Sequence, residues 1–230
     1  MPYQKYDMEI RERILAKTTE LFMVYGIKNV TMDMLASELG VSKRTIYEVF
    51  NDKEDLVVEC LDYIFSKQNE QRMAIIEHSE NMVQAMFEIF KVQMQDHKNF
   101  PKILQEDLKK YVAIVNKRLF ANENFIKERS STYKLINRGI QEGIIRQEIN
   151  PEVVDIFVQE LFPFIMNNDR IQFKMCGDLE MSLNIIFPYF RGLSTPKGIQ
   201  MMEDFFDSID TAGEENALTE LKKALNPIIK

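Results

Sequence analysis

Apolar residues recur every three or four positions along nearly the whole chain, and no stretch alternates apolar and polar residues at every second position. That period belongs to helices packed by one face. In residues 8–25 the stripe is Ile10, Ile14, Leu21, Phe22 and Tyr25, behind a polar arm at 1–7 that is expected to fray. Gly26 closes this helix, and Ile27 folds back on its last turn. Residues 31–50 hold two short helices. After an Asn51-Asp52 stop, a long helix runs from the Asp52 cap through Leu56, Cys60, Leu61, Ile64 and Phe65 towards Ile76, with Asp55 at the capping-box position. Further amphipathic helices are expected at 80–96, 101–111 and 115–141, the last closed by Gly143. Another begins at Pro151, with Asn150 as its cap, and reaches residue 166. Others follow at 181–193 and 196–206, then a loop at 207–216 and a short last helix at 217–225. Pro163 and Pro188 are expected to kink their helices. The fold class is all-α.

Residues 31–50, TMDMLASELGVSKRTIYEVF, read as two helices joined by a tight turn. Ala36 falls mid-way along the first, where a steeply crossing helix leaves no room for a large side chain. Gly40 follows Leu39, where the backbone turns through positive φ at low cost. Ile46, Val49 and Phe50 form the inward face of the second helix. A small residue, a glycine and an aliphatic residue at these intervals mark a helix-turn-helix. Thr31 caps the first helix and stands near enough to touch a DNA backbone; Ser42 caps the second. Lys43, Arg44 and Thr45 then form the first turn that a recognition helix offers to DNA. Arg44 suits a bidentate contact to guanine, Lys43 a base or a phosphate, and the Tyr47 hydroxyl faces out towards phosphate. Taken alone, Lys43 and Arg44 read more readily as solvent-facing charges; the turn, the cap and the inward triad tip the balance. Lys53 lies in the first turn of the next helix, where the dipole disfavours a cation unless a phosphate compensates. Lys28 fits either a phosphate contact or a solvated lysine.

VTMDMLASEL followed by GVSKRTIYEVFNDKEDL resembles the DNA-binding signature of the TetR family of bacterial transcriptional regulators, from about residue 10 to residue 56. Two positions depart from the commonest pattern of that family: Arg44, where a small residue is frequent, and Glu48, where a neutral or basic one is. The resemblance implies a helix-turn-helix DNA-binding domain at 1–52, with the fourth helix as connector, and a helical regulatory and dimerisation domain at 53–230. It implies a homodimer whose last long helices form a four-helix interface. Phe157, Leu161, Ile165, Leu183, Ile186, Phe187 and Phe190 are the candidates for that interface. It also implies an effector pocket among the middle helices, for which Met86, Phe90, Met94, Tyr111, Phe120, Phe125 and Tyr133 are candidates by helix position. Ordinary core is the competing reading for each of these. The effector expected is a mostly apolar or aromatic small molecule.

The formal net charge of −7 changes this picture only in one respect: contact with DNA must be local, made by the few cations around the second short helix. Hydrophobic residues make up 45% of the chain and charged residues 28%, which excludes a disordered chain. Cys60 and Cys176 stand far apart in no metal-ligand spacing, so they read as reduced thiols. No apolar run spans a bilayer and the start has no apolar h-region, so a cytoplasmic protein without a membrane partner is expected. A Gly-rich phosphate loop, paired histidines and a nucleophile elbow are all missing from the sequence, so neither catalysis, a metal nor a cofactor is expected. The expected function is a transcriptional regulator, a repressor that a small effector releases from a pseudo-palindromic operator. Two alternatives stay open. One is a DNA-organising or protein-binding module without an effector; the other is an enzyme anchored by the DNA-binding head.

Overall fold

The computed structural model describes residues 2–99, 101–108, 110–111, 130–166 and 182–209. The helices are α1 (Pro2–Asn29), α2 (Met32–Leu39), α3 (Lys43–Val49), α4 (Lys53–His78), α5 (Met82–Asn99), α6 (Lys102–Leu108), α7 (Ser131–Gln141), α8 (Pro151–Met166), α9 (Phe187–Leu193) and α10 (Pro196–Ser208). A π-helical turn, Ser182–Ile186, leads into α9. The pairing of Ile145 with Ser194 is an isolated bridge, and no strand occurs among the described residues. None of the described helices is long and apolar enough to cross a membrane.

Two compact units divide the chain. The first is Met1–Gln68 with Phe100–Ala121; the second is Asn69–Asn99 with Asn122–Lys230. The first has its own core, in which Ile14, Phe22, Leu35, Ile46, Phe50, Val57, Leu61 and Leu104 are buried. Cys60 belongs to it as a free thiol that burial pushes up to about 12, far from its reactive thiolate form. The second core gathers Met82, Phe87, Ile136, Ile145, Phe187, Met202 and Phe206. Phe87 is its hub: the ring stacks on Phe205 at 4.6 Å and meets Phe206 edge-on at 4.7 Å.

Polar joints fix the second unit's corners. Arg138 donates to Glu142 (2.6 Å), to the Ser79 carbonyl (2.8 Å) and to the Ile76 carbonyl, while Glu142 accepts the Met82 N–H (2.7 Å). One arginine and one glutamate thereby join the end of α4, the start of α5 and α7. The chain after α7 passes so close to α10 that a Cβ on Gly198 would lie 2.3 Å from the Ile144 carbonyl oxygen. Thr195 secures the same approach, its hydroxyl donating to the Gly143 carbonyl and its N–H to that of Ile144, both at 2.8 Å.

Several boundaries differ from the sequence reading. Helix α1 starts at Pro2 rather than at residue 8, since proline in a first turn removes no N–H that the helix needs. It is broken at Gly26 (φ 77°), and Ile27 is buried, as expected. Helix α6 ends at Leu108, short of Tyr111. The long helix expected at 115–141 does not run through Ser130, which is extended and caps α7 by accepting the Tyr133 N–H (3.3 Å). A Ser-Ser-Thr run at 130–132 is a helix-start signal that the apolar spacing outweighed. Helix α8 runs through Pro163, and Pro188 sits in the first turn of α9. The rest of that expected helix, at 115–129, and the helix expected at 217–225 lie outside the described residues.

Asp155 of α8 is fully buried, accepting from the Ser130 hydroxyl and from Gln159. Burial pushes its carboxyl from 3.8 up to about 6, although the hydrogen bonds from Ser130 and the Tyr133 N–H pull the other way. The folded state thus holds this proton more tightly than the unfolded chain does. Its contribution to stability is complete below about pH 4 and is lost as pH rises through about 6. Asp155→Asn should therefore flatten the fall in stability between about pH 4 and 7, and leave the protein more stable at neutral pH by on the order of 2 kcal/mol. Denaturant titrations of both proteins across that range check this; parallel pH profiles would refute it.

Candidate nucleic-acid interface

Helices α2 and α3 form the expected two-helix reader. Thr31 accepts the Met34 N–H at 3.1 Å and caps α2. Gly40 ends α2 in the left-handed region (φ 65°, ψ 32°), and the Val41 N–H returns to the Ala36 carbonyl at 3.1 Å. Ser42 accepts the Thr45 N–H at 3.1 Å and caps α3, while the two hydroxyls lie 2.8 Å apart. Ala36 is buried, Ile46 and Phe50 are almost fully enclosed, and Val49 packs on the same core. The inward face of α3 is therefore the one read from spacing.

Burying that face turns the other outward. Lys43, Arg44, Glu48 and Tyr47 are exposed around the tip and outer side of α3. Neither cation of the tip is alone. Lys43 pairs with Asp33 of α2 at 2.9 Å, which raises its pKa. Arg44 pairs with Glu48 one turn on, also at 2.9 Å. An i,i+4 acid explains why a glutamate is tolerated there, and that pair was visible in the sequence. The Asp33 partner, ten positions from Lys43, was not.

Behind the reader, a second charge cluster surrounds residue 28. Asp107 of α6 is buried and accepts both the backbone N–H of Lys28 (3.1 Å) and its Nζ (2.9 Å). Burial alone would raise the Asp107 carboxyl, but the hydrogen bonds and charge of Lys28 outweigh it and hold it below its ordinary value. The Lys53 ammonium donates to the Lys28 carbonyl at 3.4 Å, and partial burial lowers its pKa. Lys28 is thus an ion-paired lysine in this structure, and Lys53 has an acceptor inside its own unit. Asp107 is the member of this cluster that sequence reasoning missed, since nothing local marks it as a partner for a residue 79 positions away.

The model of the bacterial regulatory proteins, tetR family, matches residues 14–60, which run from the first fully buried turn of α1 across the reader and into α4. Residues 14–60 thus carry the DNA-binding domain of the TetR family, and the chain is a transcriptional regulator of that type. The HTH-type transcriptional regulator YhgD of Bacillus subtilis is 28% identical over 160 residues, which is 68% of this chain and 82% of its own. The HTH-type transcriptional repressor KstR2 of Mycobacterium tuberculosis is 20% identical over 156 residues, covering 65% of this chain and 76% of its own. A crystal structure of a TetR-family transcriptional regulator from Pectobacterium atrosepticum shares the fold, with a TM-score of 0.61 at 17% identity over 83% of this chain and 97% of that one.

The regulatory candidates are scattered more widely. Met86 is buried in the second core, Phe90 packs against it and Tyr133 is half-buried on α7. Tyr111 packs instead on the first core. Phe120 and Phe125 lie outside the described residues, as does the Met94 side chain. Among the interface candidates, Phe187 and Phe190 are buried within their own unit, so their bulk fills that core. Ile186 and Leu161 are half-buried, and the Ile165 and Leu183 side chains lie outside the described residues. Phe157 is exposed beside Val153, Ile156 and Phe164, with exposures from 43% at Phe157 to 60% at Val153. These four share one face of α8 by their spacing. Val153, Ile156 and Phe164 were missed because apolar residues ring this helix, and burial alone separates its inner face from its outer one.

Proposed function

We propose that this TetR-family regulator is a homodimeric, sequence-specific repressor released from a pseudo-palindromic operator by a small effector. The observation that carries the reading is the reader itself. A seven-residue helix is held by its buried Ile46 face, with Thr31, Ser42, Lys43, Arg44, Thr45 and Tyr47 around its open end. In the working division, residues 1–52 read DNA and residues 53–230 regulate and dimerise. Two recognition helices enter successive major grooves, about one helical turn (roughly 34–36 Å) apart or a little more. Arg44 must exchange Glu48 for a guanine edge, and Lys43 must exchange Asp33 for a base or a phosphate. Lys53 exchanges a carbonyl for a phosphate. Repression is supported by the relative KstR2, which is named a repressor. Pairing is supported by the exposed apolar face of α8, which a second copy would cover. An effector that favours a dimer with wrongly spaced heads weakens binding because both heads must engage together.

Selection of bound sequences from random duplex DNA should return a two-fold symmetric consensus; an asymmetric one, or none, would count against the reading. Against that operator, Arg44→Ala should flatten discrimination between base substitutions, whereas Lys53→Ala should weaken all sequences alike and reduce the salt slope by about one. An unchanged slope for Lys53→Ala would remove its phosphate role. Phe157→Glu should leave helical content intact, convert the dimer to a monomer in sedimentation and lower operator affinity; a dimer that survives it would place the interface elsewhere.

A further inference from the structure

The packing of α3 decides which of its side chains a groove would receive. Ile46, Val49 and Phe50 make its inward face. At about 100° per residue, the positions most nearly opposite that face are Arg44 and Glu48. Their side chains are correspondingly open, 88% and 60% exposed. Lys43 lies to one side, where it reaches Asp33 of α2. Within α3, Glu48 is the only acid. A helix that lays this face into the major groove therefore carries a carboxylate towards the bases together with the guanidinium.

Before binding, the carboxylate is answered: the Arg44 Nε donates to Glu48 Oε1 at 2.9 Å. Once Arg44 turns to a guanine edge, Glu48 loses that partner. Phosphates line both walls of the groove and offer no donor, so a carboxylate left unanswered there is repelled and stripped of water. Among the base edges of the major groove, only cytosine N4 and adenine N6 donate; guanine and thymine present acceptors and oppose it. Adenine also sets its N7 acceptor beside N6, against the second carboxylate oxygen, whereas cytosine has no acceptor there. The carboxylate is matched to cytosine.

We infer that Glu48 is a specificity-determining residue that accepts from the N4 amino group of a cytosine in each operator half-site. This rests on the operator reading above and names one feature of that operator. Arg44 and Glu48 are one helical turn apart, about 6 Å along the axis, so the cytosine lies within about two base-pair steps of the guanine that Arg44 reads. The glutamate then has two partners in turn, Arg44 in the free protein and cytosine in the complex.

Sequences are selected from random duplex DNA with the full chain as native protein, Glu48→Gln and Glu48→Ala. Affinities are then measured for the native consensus and for each base substitution at the cytosine. The native chain should prefer cytosine there by about fivefold or more. Glu48→Gln, whose amide sets a donor beside an acceptor, should move the preference at that position to adenine. Glu48→Ala should erase it, and both variants should keep the rest of the consensus. The inference is overturned if the native consensus has no cytosine near the guanine, or if Glu48→Ala keeps the native preference at that position. A retained preference for cytosine in Glu48→Gln overturns it as well, since an amide would then serve where a carboxylate is required. A two-fold consensus indifferent to both variants removes this inference alone and leaves the operator reading standing. No two-fold consensus from the native chain overturns that reading, and this inference with it.

Discussion

The reader depends on one packing constraint: α3 is too short to stand by itself. Seven residues fall well below the roughly 12–15 that an isolated helix needs in water. Its inward side chains supply what its length cannot. Ile46 and Phe50 are removed from solvent almost completely, and each contributes on the order of 1.5–3 kcal/mol by burial. That packing is possible only where α2 offers a small side chain at Ala36 and where Gly40 lets the chain turn within the three residues that separate α2 from α3. Orientation follows from the same contacts. With one face locked onto the core, the capped end of α3 and its cations must face outward, so the fold and the displayed chemistry are two consequences of a single burial.

Electrostatics decide how that display behaves before any contact is made. The tip carries two cations and holds each against an acid, Asp33 or Glu48. Exposed pairs of this kind contribute little to stability, so breaking them costs little. Their effect is on discrimination. An anionic surface that offers only a diffuse field does not repay the loss of the intramolecular partner, whereas a bidentate guanine edge does. The acidic balance of the chain works in the same direction by discouraging unspecific adhesion to DNA.

Much of this architecture was legible because the signals are local. The caps at Thr31, Ser42, Asp52 and Asn150, and the reversals at Gly40 and Gly143, each depend on a few neighbouring residues and recur in the structure. The face of α3 followed from helical period alone. Illegible features involve distance in sequence or competition between signals. Asp107 reaches Lys28 across 79 positions, and Lys43 finds Asp33 across a turn. At Ser130 the apolar period argued for continuation while the hydroxyl and the buried Asp155 carboxylate fixed a start, and the cap prevailed. On α8, apolar residues on several faces made inner and outer sides indistinguishable until burial was known.

Asp155 of the second unit is an ionisable group whose charge burial disfavours. Asp155 is enclosed but answered: Ser130, the Tyr133 N–H and Gln159 all donate to it, and together they join α8 to the cap of α7. A carboxylate so surrounded is part of the scaffold, and its raised pKa is the cost of a joint between two helices.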